Sequence, residues 1–493
     1  MIKLTDEQVA VIETEVKPGN ALKIIAYAGT GKTSTFVEYS RVHDHPMLYL
    51  AFNKSVETEA KEKFGPNVRP KTIHALAYAT TGRPYRNIGN LRYYNVMKYL
   101  KADVYAATLV CRTLDNYLNS ADEDISEKHA ADDELGRFKL GYKAELVDGA
   151  RAVWEQVKRG NDPFPMTHAG YLKLYQLMKP SISARTILLD EAQDTNPVTL
   201  DIVQRQMASG TRVLLCGDPY QQIYSWRGAI DAMNMIQAPE MFLTQSFRFG
   251  GNIASVANRL LKEFFKCDKP VLGRPDITDE LADTLPADEV YTIVCRTNVE
   301  IFRQALRCAL AQTPMCMGGG DAFSNFLAAI MDVYYLYAGK YDQITDRQIS
   351  FYKNFQMLKE FAEARLDGEL QSRVNIVQEY GDMVPTHVEN IRKNITVARM
   401  AKVFIVTAHK AKGLEWNNVM LTNDFADLFD KDGVILPVST GDLDMDTRLG
   451  YIDAIPRDEV NLLYVAATRA KKRLKLNHDL RVLLAKSEQT MSR

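Results

Sequence analysis

The chain has 493 residues, of which 46% are hydrophobic and 25% are charged, and its formal net charge is −1. This length exceeds that of one ordinary domain, and the composition is that of a soluble globular protein able to bury several cores. A net charge near zero excludes a global basic field for nucleic acid, so any site for a polyanion must be a local basic patch.

Cysteine usage and hydropathy indicate the cellular compartment in which the protein is expected to occur. The six cysteines form no C-x-x-C pair, which argues against a zinc site or a disulfide framework and favours a reducing compartment. Met1 to Ala10 lack the apolar core of a signal peptide, and no apolar run has the length of a membrane span. We therefore expect an intracellular protein of the cytoplasm or nucleoid, or of the nucleus if the source is eukaryotic; a phage-encoded protein fits equally.

The N-terminal segment predicts a helix, a strand, a glycine-rich loop and a second helix. Leu22 to Ala26 is an apolar run typical of a buried strand, and Thr33 to Ser40 continue as a helix. The loop between them, Ala26 to Thr33, resembles a phosphate cradle whose amides attract anionic oxygens. In such a loop Lys32 reaches the β- and γ-phosphates, and the Thr33 hydroxyl binds Mg²⁺. Because Ala26 replaces the usual first glycine, the alternative is a glycine-rich turn in an unrelated α/β protein.

The α/β alternation continues briefly and then stops. Met47 to Phe52 predict a second strand, Asn53 to Phe64 a helix rich in Lys and Glu, and Lys71 to His74 the start of another element. From about Tyr78 to Lys179 the pattern is mainly helical, which predicts an inserted helical domain. The acidic run from Asp122 to Glu134 within it is expected to be a solvated loop or helix face.

Two later strands end in acidic residues. Thr186 to Leu189 are followed by Asp190 and Glu191, and Arg212 to Cys216 are followed by Gly217-Asp218. Such strands fit a parallel sheet whose ligand edge lies at the strand carboxyl ends. There Asp190 would hold Mg²⁺, and Glu191 would polarise the attacking water. The alternative is an exposed acidic turn, but adjacent carboxylates after a fully apolar strand are unfavourable without a metal or partner.

The segment Gly217 to Ala229 carries further candidates. Gln221 is an uncharged group suited to sensing a γ-phosphate near the ligand edge. Tyr224 and Trp226 are two residues apart, with Arg227 beside them, and aromatic faces of this kind stack on unpaired bases with about 1–3 kcal/mol per base. The alternative is that both aromatic side chains belong to a core.

The second half of the chain again alternates strands and helices. Val290 to Val294 predict a strand, Val299 to Leu310 a helix, Met315 to Gly320 a turn, and Phe323 to Tyr337 an apolar helix. Gly339 to Arg399 have a charged helical pattern with little strand signal, which predicts a second and smaller helical insertion.

Three more strands and a helix complete a second predicted sheet. The strands are Val403 to Thr407, Asn418 to Leu421 and Leu474 to Asn477, and the helix runs from about Arg457 to Lys471. Ile391 to Leu414 contain no acidic residue but several Lys and Arg residues, which predicts a local basic patch. The alternative is a solvated charged face.

Taken in chain order, these segments resemble the superfamily 1 DNA helicases of the UvrD/Rep/PcrA kind. The compact length and the sequence AFNKS are closer to the F-box-type or phage-encoded members than to the large bacterial enzymes. The matching segments are LTDEQ (4–8), the phosphate loop, AFNK (51–54), TIH (72–74), DEAQD (190–194), GDPYQQIYSWRGA (217–229), QSFR (245–248), HKAKGLEW (409–416) and YVAATRA (464–470).

The resemblance implies an α/β fold with two RecA-like P-loop motor domains, each with a mainly helical insertion, and ATP between the motors. The first motor would comprise residues 1–77 and 180–244, with 78–179 as its insertion. The second would comprise residues 245–338 and 400–493, with 339–399 as its short insertion.

The resemblance also implies roles for individual residues. Arg248 and Arg469 would reach the phosphates from the second motor, Phe247 would stack on the adenine, Gln8 would read its edge and Glu415 would hold the ribose. Phe247 and Ser34 stand where relatives often have Tyr and Arg. The remaining nucleotide contacts would come from Ala28, Gly29, Thr30, Gly31, Lys32, Thr33 and Ser34, and the DNA contacts from Phe52, Asn53, Lys54, Thr72, His74, Tyr224, Trp226, Arg227, His409 and Lys410.

The implied function is that of an ATP- and Mg²⁺-dependent DNA helicase moving 3′→5′ on single-stranded DNA in repair, recombination or replication. Its partners would be single strands and single/double-strand junctions. One alternative is a translocase that mainly displaces bound proteins. Another is a DNA-binding adaptor with weak ATPase activity, against which the intact Lys32, Asp190, Glu191, Arg248 and Arg469 argue.

We predict that Trp226→Ala weakens binding of a single-stranded oligonucleotide more than binding of ATP, because loss of one stacking face removes about 1–3 kcal/mol. Fluorescence titrations with oligo-dT and with a nucleotide analogue measure the two affinities. Equal oligonucleotide affinity in the variant and the parent protein would count against stacking by Trp226.

Overall fold

The computed structural model describes residues 4–133, 136–139, 141–225, 232–286, 288–318, 321–363, 368–451 and 453–491. Contacts divide the chain into two compact units. The first comprises Met1–Tyr27 and Gly31–Leu243, and the second comprises Ala28–Thr30 and Thr244–Arg493. Each unit contains a parallel β-sheet with helices, which confirms the predicted α/β class.

The sheet of the first unit has six parallel strands within the described residues, in the order β3-β2-β4-β5-β1-β6. The strands are β1 (Ala21–Ala26), β2 (Met47–Ala51), β3 (Val68–Thr72), β4 (Thr186–Asp190), β5 (Arg212–Gly217) and β6 (Glu240–Leu243). β1, β2 and β4 are buried along their whole length, as expected of parallel strands covered on both faces.

The two outer strands of this sheet, β3 and β6, were not predicted as strands. β3 contains Pro70 and the exposed Arg69, and β6 begins with the exposed Glu240. Proline and charge are typical of sheet edges, where one side of the strand has no ladder partner. Among the strands that the structure describes, β6 pairs only with β1, from Lys23 opposite Glu240 to Ala26 opposite Leu243.

The helices predicted at Thr33 to Ser40 and at Asn53 to Phe64 occur close to those bounds. Helices α5 to α8 pack on one another within the stretch expected to be a helical insertion. They are α1 (Asp6–Glu13), α2 (Lys32–Val42), α3 (Lys54–Lys63), α4 (Ile73–Ala77), α5 (Tyr93–Leu100), α6 (Val104–Asn119), α7 (Tyr142–Arg159), α8 (His168–Leu177), α9 (Pro197–Ala208) and α10 (Ala232–Met235), with a π-helical turn at Tyr78–Gly82 and 3₁₀ turns at Glu127–His129, Ala192–Asp194 and Pro219–Gln221.

The sheet of the second unit also has six parallel strands in the described part of the chain, in the order β7-β12-β11-β8-β10-β9. They are β7 (Glu280–Leu281), β8 (Tyr291–Cys295), β9 (Met315–Met317), β10 (Val403–Thr407), β11 (Trp416–Leu421) and β12 (Ala470–Lys475). The predicted turn at Met315 to Gly320 was wrong, because Met315–Met317 pair with β10 and bury both methionines.

Ten helices occur in the described residues of the second unit. They are α11 (Gly251–Phe265), α12 (Asn298–Leu310), α13 (Asp321–Tyr337), α14 (Phe355–Glu363), α15 (Gly368–Tyr380), α16 (Val384–Asn394), α17 (Ala408–Ala411), α18 (Leu443–Arg448), α19 (Arg457–Ala467) and α20 (His478–Met491), with 3₁₀ turns at Tyr341–Gln343, Ile349–Phe351, Gly381–Met383 and Ala398–Met400. None of the helices in the described part of the chain is long and apolar enough to span a bilayer.

The helix α19 is shorter than predicted. It ends at Ala467, where the Thr468 hydroxyl donates to the carbonyl oxygens of Tyr464 (2.9 Å) and Val465 (3.0 Å). Ala470 then begins β12 opposite Trp416. Arg469 therefore lies in the short connection between helix and strand, and not on the predicted helix.

Candidate functional site

The glycine-rich loop has the backbone of a phosphate cradle. Gly29 has φ +76° and Gly31, the residue before α2, has φ +79° and ψ +34°, a left-handed conformation that glycine adopts without strain. Lys32 and Thr33 form the first turn of α2, and Ser34 follows them on its exposed side. The strand, loop and helix thus lie in the predicted order at the carboxyl end of β1.

The acidic residues predicted at the strand ends lie beside Lys32. Its Nζ is 3.6 Å from Glu191 Oε1. Burial alone would lower the pKa of the Lys32 ammonium, but the charges of Glu191, Asp218 and their neighbours outweigh burial and raise that pKa. Burial raises the pKa of the Asp190 carboxyl, and the charge of Glu191 raises it further. These carboxylates therefore form one electrostatic cluster around a single ammonium.

Glu191 itself has a strained backbone. Its φ of +51° and ψ of +45° lie in the left-handed region, which costs a non-glycine residue about 1–3 kcal/mol and is common at functional sites. The Gln193 amide fixes the side chain, since its Nε2 donates to Glu191 Oε2 (2.5 Å) while its Oε1 accepts from the Asp218 N–H (3.1 Å). A Cβ at Gly217 would lie 2.3 Å from Gln193 Oε1, so a larger residue there would displace the Gln193 amide.

Gln221 is held by the same network. Its Nε2 donates to Asp218 Oδ2 at 2.6 Å, and both side chains are buried. Sequence reasoning named Gln221 as a phosphate sensor and Asp218 as a strand end. It missed Gln193 as the link between Glu191 and Asp218; the signal was an amide two residues after the predicted catalytic carboxylate.

The cluster fits a divalent cation. Three carboxylates, those of Asp190, Glu191 and Asp218, lie around one ammonium, which leaves an excess of negative charge in a buried site. In the described residues, no group of three or more His, Cys, Asp or Glu side chains is arranged to hold a metal by itself. Proteins bind Mg²⁺ through one or two oxygen ligands together with substrate phosphates.

A second group of predicted residues lines a cavity of about 490 Å³ in the second unit. Arg248 Nε donates to Glu415 Oε2 (2.8 Å), and its Nη1 donates to the Thr468 carbonyl (3.0 Å). Burial would raise the pKa of Glu415, but the hydrogen bonds and charges of Arg248 and Lys471 outweigh burial and lower it. The lining residues are Gly29, Phe247, Arg248 and Glu415, all predicted, and Ile277, Asn417, Lys471 and Lys472, which were not.

Phe247 is fixed at its backbone and flanked by a cation. Its N–H donates to the Gly29 carbonyl at 2.8 Å. The Arg274 guanidinium carbon lies 5.8 Å from the centre of the Phe247 ring, a cation–π distance. The ring therefore borders the cavity, and the charged Arg274 beside it was not predicted from the sequence.

Arg469, the second predicted arginine of the second unit, is 1% exposed. Its Nε donates to the Val465 carbonyl (2.8 Å), its Nη1 to the Leu414 carbonyl (3.3 Å) and its Nη2 to the Thr468 hydroxyl (3.1 Å). These bonds orient the guanidinium from the end of α19.

Gln8 is engaged at both polar atoms. Its Oε1 accepts from the Thr5 N–H (3.0 Å) in a capping box at the start of α1, and its Nε2 donates to Thr35 Oγ1 (3.1 Å). The side chain is 2% exposed. Its predicted contact with an adenine remains a prediction.

Two predicted DNA-contacting aromatic residues lie together in the first unit. The rings of Phe52 and Tyr224 stack with centroids 5.8 Å apart and planes 21° apart, and Phe52 is 41% exposed. Asn53 and Thr72 cap α3 and α4 through their side-chain oxygens, which leaves the Asn53 Nδ2 hydrogens for another acceptor. Lys54 pairs with the buried Glu57 at 3.0 Å.

His74 is exposed and lies one helical turn before Tyr78, an aromatic residue that was not predicted to contact DNA. The His74 ring meets Tyr171 edge-on at 6.0 Å, and so does the ring of Tyr78. Tyr78 is 45% exposed and begins the π-helical turn, a feature frequent at functional sites. No sequence signal marked this turn, so Tyr78 joins the candidates only from the structure.

The remaining residues predicted to contact DNA do not all lie in one place. Trp226 and Arg227 lie outside the described residues. His409 and Lys410 lie on α17, after β10, in the second unit. Arg392, Lys393, Arg399 and Lys402 instead precede β10. Because a five-residue strand is about 16 Å long, the acid-free stretch predicted as one basic patch forms two surfaces at opposite ends of this strand.

Comparisons with known proteins agree with these features. Residues 173–242 match the UvrD/REP helicase N-terminal domain and residues 241–478 match the UvrD-like helicase C-terminal domain. The first range includes Asp190 and Gln221, and the second includes Arg248 and Arg469; the phosphate loop precedes both.

Individual relatives extend the match along the chain. F-box DNA helicase 1 of Gallus gallus is 32% identical over 98% of this chain and 50% of its own length, and F-box DNA helicase protein 1 of Schizosaccharomyces pombe is 30% identical over 98% and 58%. The ATP-dependent DNA helicase PcrA of Bacillus subtilis is 24% identical over 49% of this chain and 37% of its own. The chain thus spans about half the length of these F-box relatives. With both domain models matched in order, the chain belongs to the UvrD-like helicases of superfamily 1, whose members have two RecA-like motor domains.

Proposed function

We propose that the protein is a DNA-dependent ATPase that moves 3′→5′ along single-stranded DNA, separates duplexes, and acts in DNA repair, recombination or replication. The observation that carries the proposal is the cluster of Lys32, Asp190 and Glu191 at the carboxyl edge of the first sheet. Membership in a family of DNA helicases supports ATP hydrolysis as the reaction that this cluster serves. The polarity rests on the family resemblance.

In this proposal the first unit binds and positions the triphosphate. The amides of the loop and the Lys32 ammonium balance the charge of the β- and γ-phosphates. Glu191, fixed by Gln193, accepts a proton from the attacking water. Gln221, fixed by Asp218, hydrogen-bonds the γ-phosphate. Thr33 and Asp190 would hold Mg²⁺, which neutralises charge on the phosphate oxygens when bound.

The second unit contributes the remaining nucleotide contacts. Phe247 stacks on the adenine, whose edge is read by Gln8, and Glu415 holds the ribose. Arg248 and Arg469 stabilise the transferring phosphoryl group, a role in which a guanidinium contributes about 10³–10⁵ in rate. Arg248 is paired through Nε at 2.8 Å with Glu415, the residue proposed to hold the ribose.

Single-stranded DNA is bound by stacking and by charge. The Phe52–Tyr224 pair offers an exposed aromatic face for unpaired bases, with His74, Trp226 and Arg227 as further contacts. Asn53, Lys54, Thr72, His409 and Lys410 contact the phosphate backbone. Opening one base-pair step takes about 1.4 kcal/mol of stacking, which is small beside the free energy of ATP hydrolysis.

The proposal is tested by ATP turnover with and without single-stranded DNA, followed by unwinding of 3′- and 5′-tailed duplexes. We expect DNA-stimulated turnover, unwinding of the 3′-tailed substrate alone, and loss of both activities in Lys32→Ala but not in the exposed control Lys63→Ala. Unchanged turnover in Lys32→Ala would refute the assigned site, and unwinding from 5′ tails would refute the polarity. Displacement of streptavidin from biotinylated single strands without unwinding would favour the protein-displacing translocase.

We predict that Gln193→Ala lowers ATP turnover about ten- to hundredfold with little change in nucleotide affinity, because Glu191 loses a charge-assisted hydrogen bond. Gln193→Glu should lower turnover further, since it places a second carboxylate against Glu191. Steady-state kinetics and titration with a fluorescent nucleotide separate the two effects. Normal turnover in both variants would show that Glu191 needs no support from Gln193.

We predict that Arg469→Ala retains nucleotide binding but loses most hydrolysis, by about 10³ or more, and that Arg469→Lys recovers little because it lacks the planar fork. Because Arg469 also holds the end of α19, the thermal unfolding midpoint must be measured with both variants. Parental turnover in a folded Arg469→Ala variant would refute the role of this guanidinium.

A further inference from the structure

Tyr49 lies in the middle of β2, with 0% exposure. Its ring packs in the core of the first unit, edge-on to Phe36 at 6.3 Å and tilted against Phe64 at 4.8 Å. These apolar contacts would be met equally by phenylalanine. The hydroxyl is therefore not explained by packing, and a buried hydroxyl needs hydrogen-bond partners to offset its desolvation.

The partner of the Tyr49 hydroxyl is one of the two residues proposed to hold Mg²⁺. The hydroxyl donates to Asp190 Oδ2, across from β4, the strand that pairs with β2. The other oxygen of Asp190, Oδ1, accepts from the Glu191 N–H at 2.9 Å. Both oxygens of this carboxylate are thus fixed by one donor each.

The direction of these bonds follows from the chemistry of the groups. An ionised carboxylate only accepts hydrogen bonds, so Tyr49 gives its proton to Asp190. Each oxygen of Asp190 keeps further acceptor capacity, which is left for a cation.

We propose that Tyr49 is a positioning residue of the metal site, whose hydroxyl fixes the Asp190 carboxylate that would hold Mg²⁺. This inference rests on the proposed function, because it takes Asp190, with Thr33, as the metal-binding pair. Tyr49 touches neither nucleotide nor water in this role and acts only through the Asp190 side chain. Outer groups of this kind change metal affinity by about 10- to 100-fold when they are removed.

The test compares Tyr49→Phe with the parent protein and with Tyr39→Phe. Tyr39 is a matched control because it is also buried in the core of the first unit, at 1% exposure, with its ring stacked on His43 at 4.1 Å. Binding of a fluorescent non-hydrolysable ATP analogue is titrated in EDTA and over a range of free Mg²⁺. Electron paramagnetic resonance counts bound Mn²⁺ in the presence of the same analogue.

We expect all three proteins to bind the analogue alike in EDTA. The concentrations of Mg²⁺ and Mn²⁺ for half-maximal effect should rise about tenfold or more in Tyr49→Phe alone, and high Mg²⁺ should restore its ATP turnover. Equal metal dependence in Tyr49→Phe and the parent would overturn the inference. So would a Tyr49→Phe variant that does not fold, since the hydroxyl would then be a determinant of folding.

The outcome for the parent protein separates this inference from the proposed function. If the parent binds no analogue, or binds it with no response to Mg²⁺, the proposed function fails and the assignment of Tyr49 fails with it. If the parent responds to Mg²⁺ and Tyr49→Phe responds identically, only the role of Tyr49 is refuted.

Discussion

The balance of charge at the carboxyl edge of the first sheet is the constraint on which the candidate site depends. The parallel arrangement of β1, β4 and β5 brings Lys32, Asp190, Glu191 and Asp218 together, with Asp190 and Asp218 buried and Glu191 partly exposed. One ammonium cannot neutralise three carboxylates, and an unneutralised buried charge is strongly unfavourable. Hydrogen-bond donors around the site partly offset this excess of negative charge. The Tyr49 hydroxyl, the Gln193 amide and the Gln221 amide each donate to one of the carboxylates.

The order of the strands explains which parts of the fold could be predicted from the sequence. β1, β2, β4, β5, β8 and β10 lie inside their sheets, and their nearly continuous apolar runs identify them without knowledge of any neighbour. β3, β6, β7 and β9 are the outer strands, and they are short, polar or interrupted by proline. Their strand conformation depends on pairing with a partner distant in sequence, as for Met315–Met317 against β10, so no local pattern identifies them.

The candidate site, like the fold, could be predicted only in part from the sequence. Residues such as Lys32, Asp190 and Glu191 are recognisable because their chemistry requires those side chains after a strand. What the sequence does not contain is how each group is held. Three such features arise from packing. They are the hydrogen bond of the buried Arg469 to a carbonyl of α19, the left-handed backbone of Glu191, and the capping box that contains Gln8. Tyr49, in a run of apolar residues, reads as a core residue until its neighbour in β4 is known.

The pairing of β6 with β1 has a mechanical consequence. β1 leads into the glycine-rich loop, and β6 leads into Thr244, where the second unit resumes. A tension directed along β6 acts parallel to the ladder from Lys23–Glu240 to Ala26–Leu243, whose evenly spaced hydrogen bonds are loaded in shear and share the force. The same tension directed across the ladder would break the bonds one after another. Tension reaching the chain at Leu243 would thereby be borne by β1, the strand that leads into the glycine-rich loop.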